Sequence, residues 1–165
     1  MTPTQTMKED QQALTLQLRR VIKASRQRVF EAWTKPELLR QWFGPAALTV
    51  ADVTSDLRVN GAFRIQMNGG AENCVPPPEA GAPPRRPVAV GKYIEIVPCE
   101  RLSFTWRGDW HEDMGDTLVT LEFKEVPGGT EVVLTHSRFT NQQMLEGHNK
   151  GWSESLDKLA KFIEG

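Results

Sequence analysis

Two histidines and a tryptophan are the residues whose types and spacing bear most directly on chemistry. His136 shares a strand face with Val132 and Leu134, so it points inward wherever that face is buried. An imidazole titrates near neutrality, which suits a general base or a ligand hydrogen-bonder. The plainer reading, a buried ring satisfied by a nearby hydroxyl or backbone group, is favoured. His148 and Trp152 lie one turn apart on a helical stripe, where they offer a polar handle beside a large apolar plate. Packing of helix on sheet is the simpler role for Trp152, and for His148 neither role leads. His136 and His148 together with a carboxylate such as Glu95 would resemble a metal triad, but no spacing such as HxxxH supports one. No metal, no cofactor and no catalytic residue is assigned.

Other reactive types carry less. Trp106, Trp110 and His111 sit near the end of one hairpin and suggest an aromatic mouth, against plain core and loop-anchor roles. Cys74 and Cys99 have no CxxC spacing and no His/Cys cluster around them. The N-terminus MTPTQTMKEDQQ lacks the basic-then-apolar pattern of a secretory signal, so reduced thiols and a cytoplasmic location are expected. Arg85–Arg86 suits an acidic partner or a lid latch, with a solvated loop charge the simpler reading. No GxSxG, HExxH, Walker-type or zinc-finger spacing is present.

Composition narrows the class. With 20 basic and 21 acidic residues the net charge is −1, so nothing draws the chain as a whole toward nucleic acid or anionic lipid. No apolar run of about 18 residues exists to span a membrane. A chain of 165 residues suits one domain, expected over 13–165 behind a disordered tail at 1–12.

The elements that must position these residues follow from periodicity. Leu14, Leu16 and Leu18 alternate as a strand continuing to Ile22. Ser25 caps a short helix with Val29, Phe30 and Trp33 on its stripe. Pro36 breaks it and starts a second, which buries Leu38, Leu39, Trp42 and Phe43 before Gly44–Pro45 ends it. Strands are expected over 48–57, through Phe63, Ile65 and Met67, over 88–97, through Leu102, Phe104 and Trp106, over 117–126 and over 131–137. Asn60–Gly61 is a hairpin turn signal. Residues 69–87 hold six of the eleven prolines and read as a surface loop. Thr140 or Asn141 then caps a long helix whose stripe is Leu145, His148, Trp152, Leu156, Leu159 and Ile163. Sequential hairpins favour an antiparallel sheet, and the helix must bury its stripe against it.

Four segments in this order carry a resemblance: AWTKPELLRQWFGP, GKYIEIVPCERLSFTW, GGTEVVLTHSRF and GWSESLDKLAKFIEG. Together they resemble the START-like or SRPBCC superfamily, and within it the family named for the activator of the 90-kDa heat-shock chaperone's ATPase. The resemblance runs from about Leu14 to Ile163. It implies an α+β helix-grip fold: a curved antiparallel sheet of six or seven strands around a long C-terminal helix, with two short helices after the first strand. It also implies a hydrophobic cavity between sheet and helix, and it favours a functional His at the end of the last strand. The loop at 69–87 departs from the short hairpin usual there.

Three functions fit. The first is binding of a small hydrophobic molecule, a lipid, polyketide or similar, with a cavity of roughly 300–1,000 Å³. Its expected lining is Trp42, Phe43, Phe63, Ile65, Met67, Phe104, Trp106, Val119, Phe123, Leu134, His136, Leu145, His148, Trp152 and Leu156. The second is a cyclase or hydrolase using the same cavity. The third is a chaperone ATPase-stimulating module. Binding ranks first, the protein being a monomer or homodimer.

Overall fold

The structure, a computed structural model, describes residues 14–45, 48–68, 87–109 and 115–165. The expected tail at 1–12 and all of the proline-rich loop except Pro87 lie outside the described residues.

The chain runs β1 (Leu16–Ile22), α1 (Arg26–Thr34), α2 (Pro36–Trp42), β2 (Thr49–Ser55), β3 (Ala62–Asn68), β4 (Val88–Val97), β5 (Arg101–Gly108), β6 (Thr117–Val126), β7 (Gly129–Ser137) and α3 (Gln142–Glu164). The seven strands form one curved antiparallel sheet in the order β1-β7-β6-β5-β4-β3-β2. β2 to β7 thus make a continuous meander, and β1 closes onto β7 with Leu16 opposite His136 and Ile22 opposite Thr130. This is the expected α+β helix-grip architecture, with α3 lying across the concave face. No helix among the described residues is long and apolar enough to cross a membrane.

Local chemistry explains the corner that plugs one end. The Ser25 hydroxyl accepts from the Arg28 amide at 3.2 Å and starts α1. Pro36 stands in the first turn of α2, where a missing amide hydrogen costs nothing. Phe30 meets Phe123 of β6 edge-on, 5.6 Å between centroids, which seats α1 on the sheet. Gly44 takes a φ of +106° after α2, a conformation that side chains with a Cβ rarely adopt, and so turns the chain toward β2. Gly91 in β4 serves a different need. It faces Phe63 across the ladder, and a Cβ there would stand 1.9 Å from the Thr105 carbonyl oxygen and 2.6 Å from the Phe63 ring.

α3 begins at Asn141, whose side-chain oxygen accepts from the Met144 amide at 2.8 Å. Its first buried turn is carried by Met144, while Leu145 is only partly buried against the core. Farther along, Arg20 of β1 pairs with Asp157, tying the edge strand to the helix surface. Asn141→Ala is expected to destabilise the protein by about 1 kcal/mol, the usual cost of losing an N-cap. Chemical denaturation would read it as a lower midpoint with an unchanged slope.

Candidate functional site

The site lies where the N-terminal half of α3 crosses β5, β6 and β7. Two tryptophans and two histidines meet there in a reciprocal arrangement. Trp106 of β5 donates its indole N–H to His148 Nε2 of α3 at 3.2 Å. Trp152 of α3 donates its own to His136 Nδ1 of β7 at 3.0 Å. Sheet and helix therefore each supply one donor and one acceptor to the other.

These contacts fix both tautomers, because an indole nitrogen can only donate. His136 must keep Nδ1 unprotonated and carry its proton on Nε2, which faces the Thr117 hydroxyl at 2.6 Å. That hydroxyl in turn donates to the Trp106 carbonyl at 2.7 Å, so its oxygen accepts from His136. His148 accepts at Nε2 and so donates from Nδ1 to the Met144 carbonyl at 2.9 Å. The imidazole centroids stand 5.1 Å apart, and His136 has no solvent exposure. Burial first, and then the charge His148 would carry, holds the His136 pKa well below the usual imidazole value.

The chemical consequence is direct. A general base needs a lone pair aimed at substrate. In each ring the unprotonated nitrogen is already occupied by an indole N–H, and the protonated one is already donating. The histidines are thus poised as neutral, internally satisfied hinges between sheet and helix. Glu95 is elsewhere, paired with Arg101 at 2.7 Å on the surface. Among the described residues no group of three or more His, Cys, Asp or Glu side chains converges to hold a metal.

Much of the space between sheet and helix is filled by aromatic rings, and two narrow voids lie there among the described residues. The outer cleft, about 400 Å³ counted to its open mouth, lies between α3, the end of α2 and β3. Its walls include Phe43, Met67, Trp106 and Trp152, with Pro45 and Pro87 at its rim. Its polar residues, His148 and Ser155, are already engaged, Ser155 donating to the Gly151 carbonyl at 2.8 Å. The inner void, about 350 Å³ counted to its opening, lies under the α1–α2 corner, against Phe63, Ile65 and Phe104. Phe43 and Trp106 border both, their centroids 6.1 Å apart.

Seven of the expected lining residues, and His148, therefore border one void or both: Phe43, Met67, Trp106 and Trp152, then Phe63, Ile65 and Phe104. Trp42, Val119, Phe123, Leu134, His136 and Leu156 are buried in the surrounding core instead and border neither void, and Leu145 is only partly buried. Ring contacts join Trp42 to Phe43 and His136 to Trp106 and Trp152, so part of that core packs directly against the lining. Trp110, His111, Cys74 and Arg85–Arg86 lie outside the described residues. Sequence reasoning missed Lys158, whose ammonium reaches from α3 to the Pro45 and Leu48 carbonyls at 3.2 and 2.8 Å. That clasp holds the outer cleft's rim to the helix. Burial lowers the Lys158 pKa, partly offset by Glu154 one turn earlier. A separate hollow at the start of α1, bordered by Lys23, Cys99 and Gly128, opens broadly to solvent at the opposite end of the sheet.

The family model for activator of Hsp90 ATPase homolog 1-like proteins matches residues 23–164. The chain belongs to this family. Among solved structures it is similar to a protein of Rhizobium leguminosarum, with 30% identity, a TM-score of 0.67, and 91% of this chain and 93% of that one covered. It is also similar to the AHSA1 protein of Silicibacter pomeroyi, at 26% identity, TM-score 0.72 and coverage of 91% and 97%. A protein of Chromobacterium violaceum gives 26%, 0.72, 92% and 98%. Comparison with curated proteins finds no match. The family membership accounts for the two short helices, the meander and the gripped helix.

Proposed function

We propose that this family member binds a small hydrophobic molecule, of lipid or polyketide type, in the outer cleft between the sheet and α3. The observation that supports this best is the cleft's character. Its walls are aromatic and aliphatic, and its polar groups are already paired within the protein. Such a surface gains from burying apolar atoms and offers no unpaired charge to a polar ligand. As it stands the cleft has room for only a few waters, so a molecule of two or three rings enters only as Phe43 and the rim move aside.

An enzyme in the same space would need two converging groups of complementary role. The histidines are 5.1 Å apart, but their nitrogens are spent on Trp106, Trp152, Thr117 and Met144. A chaperone-activating role would call for a broad exposed apolar face. Of the four half-exposed large apolar residues among the described residues, Val21 lies on the edge strand β1, Ile94 on β4, and Leu57 and Val59 follow the opposite edge strand, β2. Neither reading has an observation of its own in favour.

Gentle native mass spectrometry of the purified protein, before and after organic extraction, tests the proposal. The expected result is a mass excess of a few hundred daltons that extraction removes. Ser155→Leu, which fills the cleft from α3, is expected to reduce that occupancy at least tenfold while the fold is kept. Undiminished occupancy in a folded Ser155→Leu protein would place the ligand elsewhere.

A further inference from the structure

Four tryptophans lie among the described residues, and three of their indole N–H groups have acceptors. Trp42 donates to the Ala32 carbonyl at 3.0 Å, Trp106 to His148 and Trp152 to His136. The fourth, Trp33, is 3% exposed and its Nε1 has no partner. Buried donors are rarely left unpaired, because the hydration they lose is not replaced.

Trp33 is also one of the residues lining the inner void. Tyr93 and Ser55 line it too, their hydroxyls 2.7 Å apart. Whichever of the two donates to the other, one hydroxyl proton is left to turn elsewhere. Three separate elements, α1, β2 and β4, thus bring residues with hydrogen-bonding groups to a void whose other lining is apolar apart from Trp106, whose N–H is given to His148. No lining residue is charged, so an ionised group would be stranded there.

We infer that the inner void receives one end of the ligand, and that this end carries a neutral hydrogen-bond-accepting oxygen taken by the Trp33 indole N–H. A ketone, ether or phenolic oxygen on an apolar frame meets the description. Phe43 and Trp106 stand between the voids, so the frame lies in the outer cleft and the oxygen passes between those two rings. The inference rests on the cleft-binding reading and adds the orientation of the ligand and the one polar atom it needs.

The test compares two flat probes that differ in one atom's worth of polarity: fluorenone, with a ketone, and fluorene, without. The full chain is labelled with ¹⁵N, and its indole N–H signals are assigned by single Trp→Phe variants. Fluorenone is expected to bind about fivefold more tightly than fluorene, the usual yield of one neutral hydrogen bond. It should also move the Trp33 indole proton downfield, which fluorene should not. In Trp33→Phe the preference should vanish while fluorene still binds. If that variant does not fold, the wild-type shift decides alone. Equal binding of both probes with an unmoved Trp33 proton overturns the inference and leaves the cleft reading intact. Binding of neither probe overturns both.

Discussion

Trp152→Ala is expected to destabilise the protein by about 3–5 kcal/mol, the range for removing a buried tryptophan. Three losses combine at this position. The ring packs against Phe43 and Trp106 at centroid distances of 5.9 and 5.0 Å. Its N–H is the partner of His136 Nδ1, at 3.0 Å. It is also one of the points where α3 grips the sheet, so its loss loosens the fold's defining contact. Trp152→Phe separates these effects, since it keeps most of the ring contact but leaves His136 Nδ1 without a donor. About 1–3 kcal/mol is expected for that variant, the cost of a buried group stripped of its partner. Equilibrium denaturation of both variants at pH 8 would measure the difference. A Trp152→Phe protein as stable as the parent would show that the indole–imidazole bond contributes nothing.

Acid is expected to destabilise the fold through His136 before the carboxylates titrate. In the folded protein the His136 pKa is held well below its usual value, by burial and then by His148. In the unfolded chain it returns to about 6.5. Above that pH neither state binds the proton, and the full stability is present. As pH falls below 6.5 the unfolded chain takes up a proton that the folded one refuses, so unfolding is favoured. The slope approaches at most about 1.4 kcal/mol per pH unit as the pH falls toward the folded-state pKa. In His136→Gln this part of the slope should be lost. Stability flat from pH 7 to 5 in the parent, or an equal slope in the variant, would contradict the neutral, locked state of the ring.

The elements were legible because each is specified locally. Alternation in Phe63, Ile65 and Met67, the Pro36 break and the Ser25 and Asn141 caps all act within a few residues. The site was legible only in outline. Its histidines and tryptophans could be named from strand face and helix stripe. What they do to one another depends on two indole N–H groups crossing between β5, β7 and α3, contacts between residues 42 and 16 positions apart. Periodicity carries no information about such a pairing. Cavity lining was hard to read for a related reason. A stripe says which side chains face inward, not which of them border a void. Val119 and Leu134 face inward as expected, yet neither borders a void. Trp33 is the reverse case, a helix-stripe residue read as core that also borders the inner void.

The most direct test of the central claim is a chemical-shift titration of the labelled protein with fluorene. A cleft that takes a small apolar molecule gives saturable, one-to-one changes centred on the Met67 methyl and the Trp106 and Trp152 side chains, lost in Ser155→Leu. Changes scattered over the surface, or none at those three residues, would contradict it.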